Sequence, residues 1–393
     1  MLPYLLSAFV VIFSLGLIVD SSAQNLPPVK GMALTEVTLT SSLDGKQQPV
    51  IVGVPENLDA TKPTPLLVGI HTWSADYRQQ TAAMAPLCAR YGWLMILPNF
   101  RGANVTTNPA PREAGASLPA QHDILDAVNH MKSTYRVDES RIYIIGGSGG
   151  GHMSLMMAGK YPDIWAGVSA WCPVSSLSDW HAQQNGYAPH IEAVAGGKPG
   201  DSAEVDFEYL RRSPRTFLTN AANTNLQICH GDKDQTIWVT QSWKTYEVLR
   251  PLKHRAEFYS WTGGHDMLTE RGFEWLSRQV KPSTAPLAQH LVTDEAKWYF
   301  WLYVAPGAPN TFARCDAVLA PATPAKDNEP AQPARLTVTV EQAKDVRLNL
   351  GALNLSNIKS ATCGGQPSTS YTVADGILSL PGAVDKVTYE FTF

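Results

Sequence analysis

Residues 141–157 read RIYIIGGSGGGHMSLMM, and no other stretch of the chain restricts its fold as severely. An apolar run rich in β-branched residues passes through five glycines and one serine into an apolar helical pattern. Gly146, Ser148 and Gly150 satisfy G-x-S-x-G at a strand-to-helix junction, the context in which that pattern has chemical meaning. A turn this sharp leaves no room for side chains beside the serine, so glycines flank it and the hydroxyl stands clear of the backbone. The helix that follows aims its N-terminal amides at charge developing next to that hydroxyl. A phosphate loop is excluded because no G-K-[ST] follows, and a dinucleotide fingerprint because its third glycine would fall on His152. A flexible linker would not lie between an apolar strand and an apolar helix. The stretch marks Ser148 as a candidate nucleophile.

Serine is a weak nucleophile without a base, almost always a histidine oriented by a carboxylate. On a strand-turn-helix scaffold the chain order is serine, acid, histidine. Beyond the segment LQICHGDKDQTIW, which supplies the acid, lie His254, His265 and His290. His254 precedes a strand and reads as a surface residue, and His290 opens a second domain. His265 follows the strand AEFYSW through TGG, a loop able to present an imidazole over Ser148. The acid belongs at the end of LQICHGDKDQTIW, which offers Asp232 and Asp234; Asp232, directly after the His-Gly turn, reads as a turn residue. An oxyanion site needs two donors. The amide of Gly149 is one; the Trp73 amide, after the strand PLLVGIH, is the first choice for the other and the Tyr77 hydroxyl the second. His71, in the same loop, either contacts substrate or fixes the loop. H-E-x-x-H and C-x-x-C are both absent, so no metal and no cofactor is expected.

From about residue 35 to 280, the strand-like runs PLLVGIH, LMILPNF, RIYIIGG, GVSAWCP, LQICHG and AEFYSW alternate with helical patterns. That alternation predicts an α/β unit, a mostly parallel sheet with helices on both faces. Ahead of it, TEVTLTSSLDGKQQPVIVGVPENL predicts an antiparallel hairpin around DGK. Residues 174–215 break the alternation with a long polar stretch that reads as a lid-like insertion, with Trp180 and His181 as pocket-wall candidates. After residue 285 the period falls to two, as in RLTVTVE and KVTYEFTF. With 393 residues the chain exceeds one ordinary core, and the expected division is a catalytic domain over 24–285 and a small sandwich-like, all-β domain over 286–393. The aromatics Trp298, Tyr299 and Trp301 of the second domain read as core or docking residues in preference to a carbohydrate platform. Cys315 and Cys363 are the cysteines best placed for a bridge.

The formal charge of −4 and a pI near 6.2 carry no basic excess, which argues against a nucleic-acid partner. The stretch MLPYLLSAFVVIFSLGLIVDSSAQ has an apolar run from Leu5 to Val19 followed by small residues. Residues 1–23 therefore read as a signal peptide, which predicts a secreted or periplasmic protein with no membrane contact after cleavage.

The segments VDESRIYIIGGSGGGHMSLMM, YLRRSP, ICHGDKDQTI and WTGGHDM together resemble the catalytic domain of the prolyl oligopeptidase family within the α/β-hydrolases. The resemblance covers about residues 35–280 and implies Ser148 as nucleophile, Asp234 as acid and His265 as base. SSLDGKQQPVIVGVPENL followed by PLLVGIH is also similar to secreted carbohydrate esterases and polyester depolymerases. Two departures stand out. The residues before PLLVGIH cannot form the large β-propeller that gates true oligopeptidases, and HTW replaces the His-Gly pair common after this strand in esterases. The resemblance implies a secreted serine hydrolase, acting through an acyl-enzyme on a small-molecule or polysaccharide-linked ester. A peptidase of short peptides is the alternative, and a non-catalytic binding protein the third possibility.

Overall fold

The computed structural model describes residues 26–184, 186–252, 256–326 and 330–393. The leader-like stretch 1–23 and His254 lie outside the described residues. The chain opens with β1 (Met32–Thr40) and β2 (Gln47–Pro55), an antiparallel hairpin whose register runs from Met32↔Pro55 to Thr40↔Gln47. Strand and helix then alternate: β3 (Thr64–Ile70), α1 (Thr81–Tyr91), β4 (Leu94–Pro98), α2 (Leu118–Thr134), β5 (Val137–Gly147), α3 (Gly149–Lys160) and β6 (Gly167–Trp171). The insertion folds as α4 (Leu177–His181), α5 (Ala188–Ala195) and α6 (Ala203–Arg211), and the unit closes with β7 (Leu226–Gly231), α7 (Thr240–Leu249), β8 (Glu257–Trp261) and α8 (Thr269–Leu276).

The eight strands form one sheet in the order β1-β2-β4-β3-β5-β6-β7-β8, antiparallel at the hairpin edge and parallel from β4 to β8. This is an α/β-hydrolase fold. Buried central strands are apolar on both faces, and β3 and β5 divide theirs between two cores. Leu66, Val68, Ile142 and Ile144 pack with α2 and α3, whereas Leu67, Tyr143 and Ile145 pack with α1 and α8. The start of α2 is set locally: Ser117 caps it by accepting from the Ala120 amide at 3.2 Å, with Pro119 in the first turn, where a missing N–H costs nothing.

The rest of the chain is antiparallel β, in two sheets. One runs β10 (Lys297–Tyr299), β11 (Leu302–Pro306), β14 (Ala343–Asn349), β18 (Ile377–Ala383), β17 (Thr372–Ala374). The other runs β16 (Gln366–Pro367), β15 (Ser360–Cys363), β19 (Val387–Thr392), β13 (Arg335–Glu341), β12 (Ala313–Ala320), β9 (Ala288–Thr293). Along β12, Cys315, Ala317 and Leu319 face inward while Arg314, Asp316 and Val318 face out, the period-two signature. Tyr299 and Trp301 are fully buried, with the Trp301 indole donating to the Pro286 carbonyl, and Trp298 is exposed.

The expected Cys315–Cys363 bridge is absent, and both thiols are free. Cys363 on β15 pairs with Tyr389 of β19, Tyr389 with Val338 of β13, and β12 lies beyond β13. Three strand spacings of about 4.8 Å separate the two strands, far more than the about 7 Å between Cα atoms that a disulfide spans.

The β unit docks on the end of the helix that carries the G-x-S-x-G turn. Lys160, the last residue of α3, is buried and ion-paired with Asp294 and Glu295, and Arg211 reaches Asp294 at 2.8 Å. Asn220 exchanges two hydrogen bonds with the backbone of Val292, and Phe207 packs on Phe312 at 4.8 Å. Burial alone would raise the Glu295 carboxyl; Lys160, His122 and Lys297 outweigh it and hold the group well below the usual range.

Candidate active site

Ser148 occupies the turn between β5 and α3 with φ 58 and ψ −122, a strained conformation for a residue with a side chain. Its amide donates to the Trp171 carbonyl at 2.8 Å, and its carbonyl accepts from His152 at 2.9 Å, so the strain is fixed from both sides. Of the nineteen residues from 142 to 160, Ser148 alone is not buried. The glycines are required by contact: a Cβ on Gly146 would come 2.6 Å from the Gly150 backbone, and one on Gly149 would come 2.4 Å from the Trp73 nitrogen.

That second distance also defines the place of the Trp73 amide. It lies against the first residue of α3, whose opening amides have no partner within the helix. Gly149 and Trp73 therefore come together. Tyr77 does not: its hydroxyl donates to Glu36 at 2.7 Å, inside the core on the hairpin side, and it is absent from the pocket lining.

His265 follows β8, and its Nδ1 lies 2.6 Å from Asp234 Oδ2. Asp234, in the loop after β7, is buried, and its Oδ1 accepts from the amides of Thr236 and Ile237 at 2.8 and 2.9 Å. Burial would raise this carboxyl, but hydrogen bonds from His230 and His265 and from the Ile237 amide outweigh it and hold it well below the carboxylate range. An ionised Asp234 accepts from Nδ1, which leaves Nε2 of His265 as the proton acceptor. Asp232 takes another part: it accepts from the Gly263 amide at 3.2 Å and braces the loop leading to His265.

Ser148 and His265 line one cavity of about 330 Å³, with Thr72, Trp73, Cys172, Tyr187 and Met267 among its walls. His71 is not among them. It is fully buried, stacked on Phe100 at 4.0 Å, with its ring nitrogens at 2.8 Å from the Thr72 carbonyl and 2.9 Å from that of Asn99; of its two sequence readings the structure selects the loop-fixing one. Trp180 and His181 also miss the wall. The Trp180 indole donates to the Thr236 carbonyl at 3.0 Å and the ring stands edge-on to Trp73, while His181 meets Glu192 at 2.8 Å. The insertion instead contributes Tyr187, which packs on Trp180 at 4.9 Å.

Cys172 and Tyr187 line the cavity at positions that no sequence motif singles out. Cys172 directly follows β6 with φ 43, and its Sγ donates to the Asp266 carbonyl at 3.3 Å. Burial pushes its thiol up to about 12. The rule that ligands gather at the carboxyl ends of parallel strands points to this position, whereas Tyr187, between a turn and a helix start, carried no local signal. Cys172, His230 and Asp234 offer ligand atoms within 4.8 Å of one another. These groups are engaged with the protein, His230 through Ser242 Oγ at 2.7 Å and the Ile237 carbonyl at 2.8 Å.

Residues 81–271 match the model of the prolyl oligopeptidase family. The chain is 27% identical over 253 residues to a probable acetylxylan esterase A of Neosartorya fischeri, covering 61% of this chain and 60% of that one. It is 32% identical over 167 residues to feruloyl esterase B of Talaromyces stipitatus, covering 39% and 44%. The chain thus spans less than two thirds of the length of either relative. An acylaminoacyl peptidase of Pyrococcus horikoshii shares the fold, with a TM-score of 0.54 and 19% identity over 66% of this chain and 43% of that one.

Proposed function

We propose that this chain, which carries a prolyl oligopeptidase family domain at residues 81–271, is an exported serine hydrolase of carboxylic esters, with acyl or aryl esters on polysaccharides as its substrate class. The observation that carries the reading is the juxtaposition at one cavity: Ser148, alone unburied on a strained turn, and His265, tied to Asp234 at 2.6 Å. In this reading Ser148 Oγ attacks the ester carbonyl while Nε2 of His265 takes its proton. Asp234 holds the tautomer and stabilises the imidazolium. The oxyanion is received by the amides of Gly149 and Trp73, dipoles already in place before charge develops. His265 then protonates the departing alcohol, and water, activated by the same imidazole, releases the acid from Ser148.

The choice of esters over peptides rests on the two esterase relatives, whose names specify acetylxylan and feruloyl esters. Export rests on the apolar run Leu5–Val19; no helix among the described residues is long and apolar enough to cross a membrane. The test compares the protein with Ser148→Ala on nitrophenyl acetate, feruloyl esters, acetylated xylan fragments, and alanyl and prolyl anilides. Ester turnover that disappears with Ser148 supports the reading. Anilide turnover without ester turnover replaces it with a peptidase, and activity surviving Ser148→Ala removes it.

A further inference from the structure

Behind the proposed oxyanion site lies a charge cluster with no part in the chemistry described above, buried at Arg101 and Asp123 and open to solvent at Asp44 and Glu113. Directly after β4 the chain reverses through three successive left-handed residues, Phe100, Arg101 and Gly102, at φ 33, 76 and 72. The Arg101 side chain is 3% exposed and is held on every side. It makes a two-pronged bond to Asp123 of α2, at 2.7 and 3.1 Å, and another to Asp44 of the β1–β2 turn, at 2.8 and 2.9 Å. It also donates to Glu113 at 2.9 Å and to Ser41 at 3.1 Å. A guanidinium binds carboxylates as a planar fork, which a lysine cannot reproduce.

The backbone that Arg101 anchors leads to the oxyanion loop. The Asn99 carbonyl meets His71 Nε2 at 2.9 Å, Phe100 stacks on the His71 ring, and the Asn104 amide donates to the Trp73 carbonyl at 2.7 Å. Asn108 closes the loop on itself, its amide donating to the carbonyls of Arg101 and Ala103 at 3.0 and 2.7 Å. Three contacts thus pass from segment 99–104 to residues 71–73, and the Trp73 nitrogen sits against Gly149 at the far end.

We infer that Arg101 is a positioning residue: by gripping Asp123, Asp44 and Glu113 it fixes segment 99–104, and through that segment the place of the Trp73 amide beside Ser148. Its catalytic consequence rests on the esterase reading above; the mechanical link does not. A displacement of about 1 Å at a reacting centre can cost about a hundredfold in rate, so loosening the anchor lowers kcat and leaves substrate affinity nearly unchanged.

The test uses Arg101→Lys and Asn108→Ala. Asn108 grips the same segment without carrying charge, and it decides the matter if Arg101→Lys fails to fold. The chain has a single Thr-Trp pair, at 72–73, so carbonyl-labelled threonine with ¹⁵N-tryptophan isolates the Trp73 amide in an NMR spectrum. Expected are a shifted Trp73 signal, a kcat on nitrophenyl acetate lower by at least about tenfold with KM within about twofold, and an equal loss of affinity for an alkyl boronic acid that mimics the tetrahedral intermediate. An unmoved Trp73 signal in a folded variant overturns the inference, as does a shifted signal with unchanged kcat. If the wild-type chain hydrolyses no ester, the esterase reading falls, and the Trp73 signal alone decides whether the anchor works as inferred.

Discussion

Asp234 Oδ2 stands 2.6 Å from His265 Nδ1 while its other oxygen accepts two backbone amides, so the carboxylate cannot turn away from the imidazole. Asp234→Asn keeps the shape but presents the wrong partner to Nδ1, which favours the tautomer with Nε2 protonated. The expected result is a loss of about 10⁴ in kcat with KM little changed, measured on nitrophenyl acetate. A loss below tenfold would remove Asp234 from this role.

Gly149→Ala places a methyl group 2.4 Å from the Trp73 nitrogen. Backbone must move, and the two proposed oxyanion donors separate. A fall of about 10² to 10³ in kcat is expected, the cost of losing one such donor, with circular dichroism unchanged. Equal activity would mean that Trp73 is not the second donor.

Between the α/β unit and the β unit, Glu295 has its carboxyl held below the usual range, so in acid the unfolded chain binds a proton that the native chain does not. Stability from this group is complete above the unfolded carboxylate pKa of about 4.3 and is lost as pH falls below it. Glu295→Gln should flatten the decline of the melting temperature between about pH 4.5 and 3. Lys160→Met leaves Asp294 and Glu295 buried without their lysine and should cost about 3–5 kcal/mol in a denaturant titration. If neither variant changes stability, the ion cluster is not what joins the units.

All five cysteines are free, and four of them are buried, Cys363 being half-buried. Thiol reagents should therefore label one group quickly in the native protein and all five after unfolding without reductant, as counted by mass spectrometry. Cys172 should stay unmodified at neutral pH although it lines the cavity, because burial keeps its thiol protonated. Rapid inactivation by iodoacetamide would contradict this.

The parts of this architecture governed by local rules were legible in the sequence. The strand-helix alternation, the hairpin around DGK and the period-two strands each follow from side-chain spacing. The glycines around Ser148 report a steric condition that the structure shows directly. The errors fell where tertiary packing decides. Trp180 and His181 read as pocket wall because they sit in a long polar insertion, yet Leu177, Trp180, Ile191 and Tyr209 of that insertion form a small separate core around Trp73 of the loop after β3. Tyr77 and Trp73 share one loop; only the path of the backbone sends one toward Glu36 and the other toward Gly149. Cys315 and Cys363 fall in the same C-terminal segment but are separated by two intervening strands, a matter of strand order that no local pattern encodes.

The helix α3 is buried along all twelve of its residues, beginning beside Ser148 and ending at the lysine that holds the β unit. Such a helix cannot fray from either end without exposing the chemistry at one terminus or the joint at the other. Its amides should exchange with deuterium only through global opening, as the slowest class in the molecule. The two units should accordingly melt in one calorimetric step, with competence to react and attachment of the second unit disappearing together.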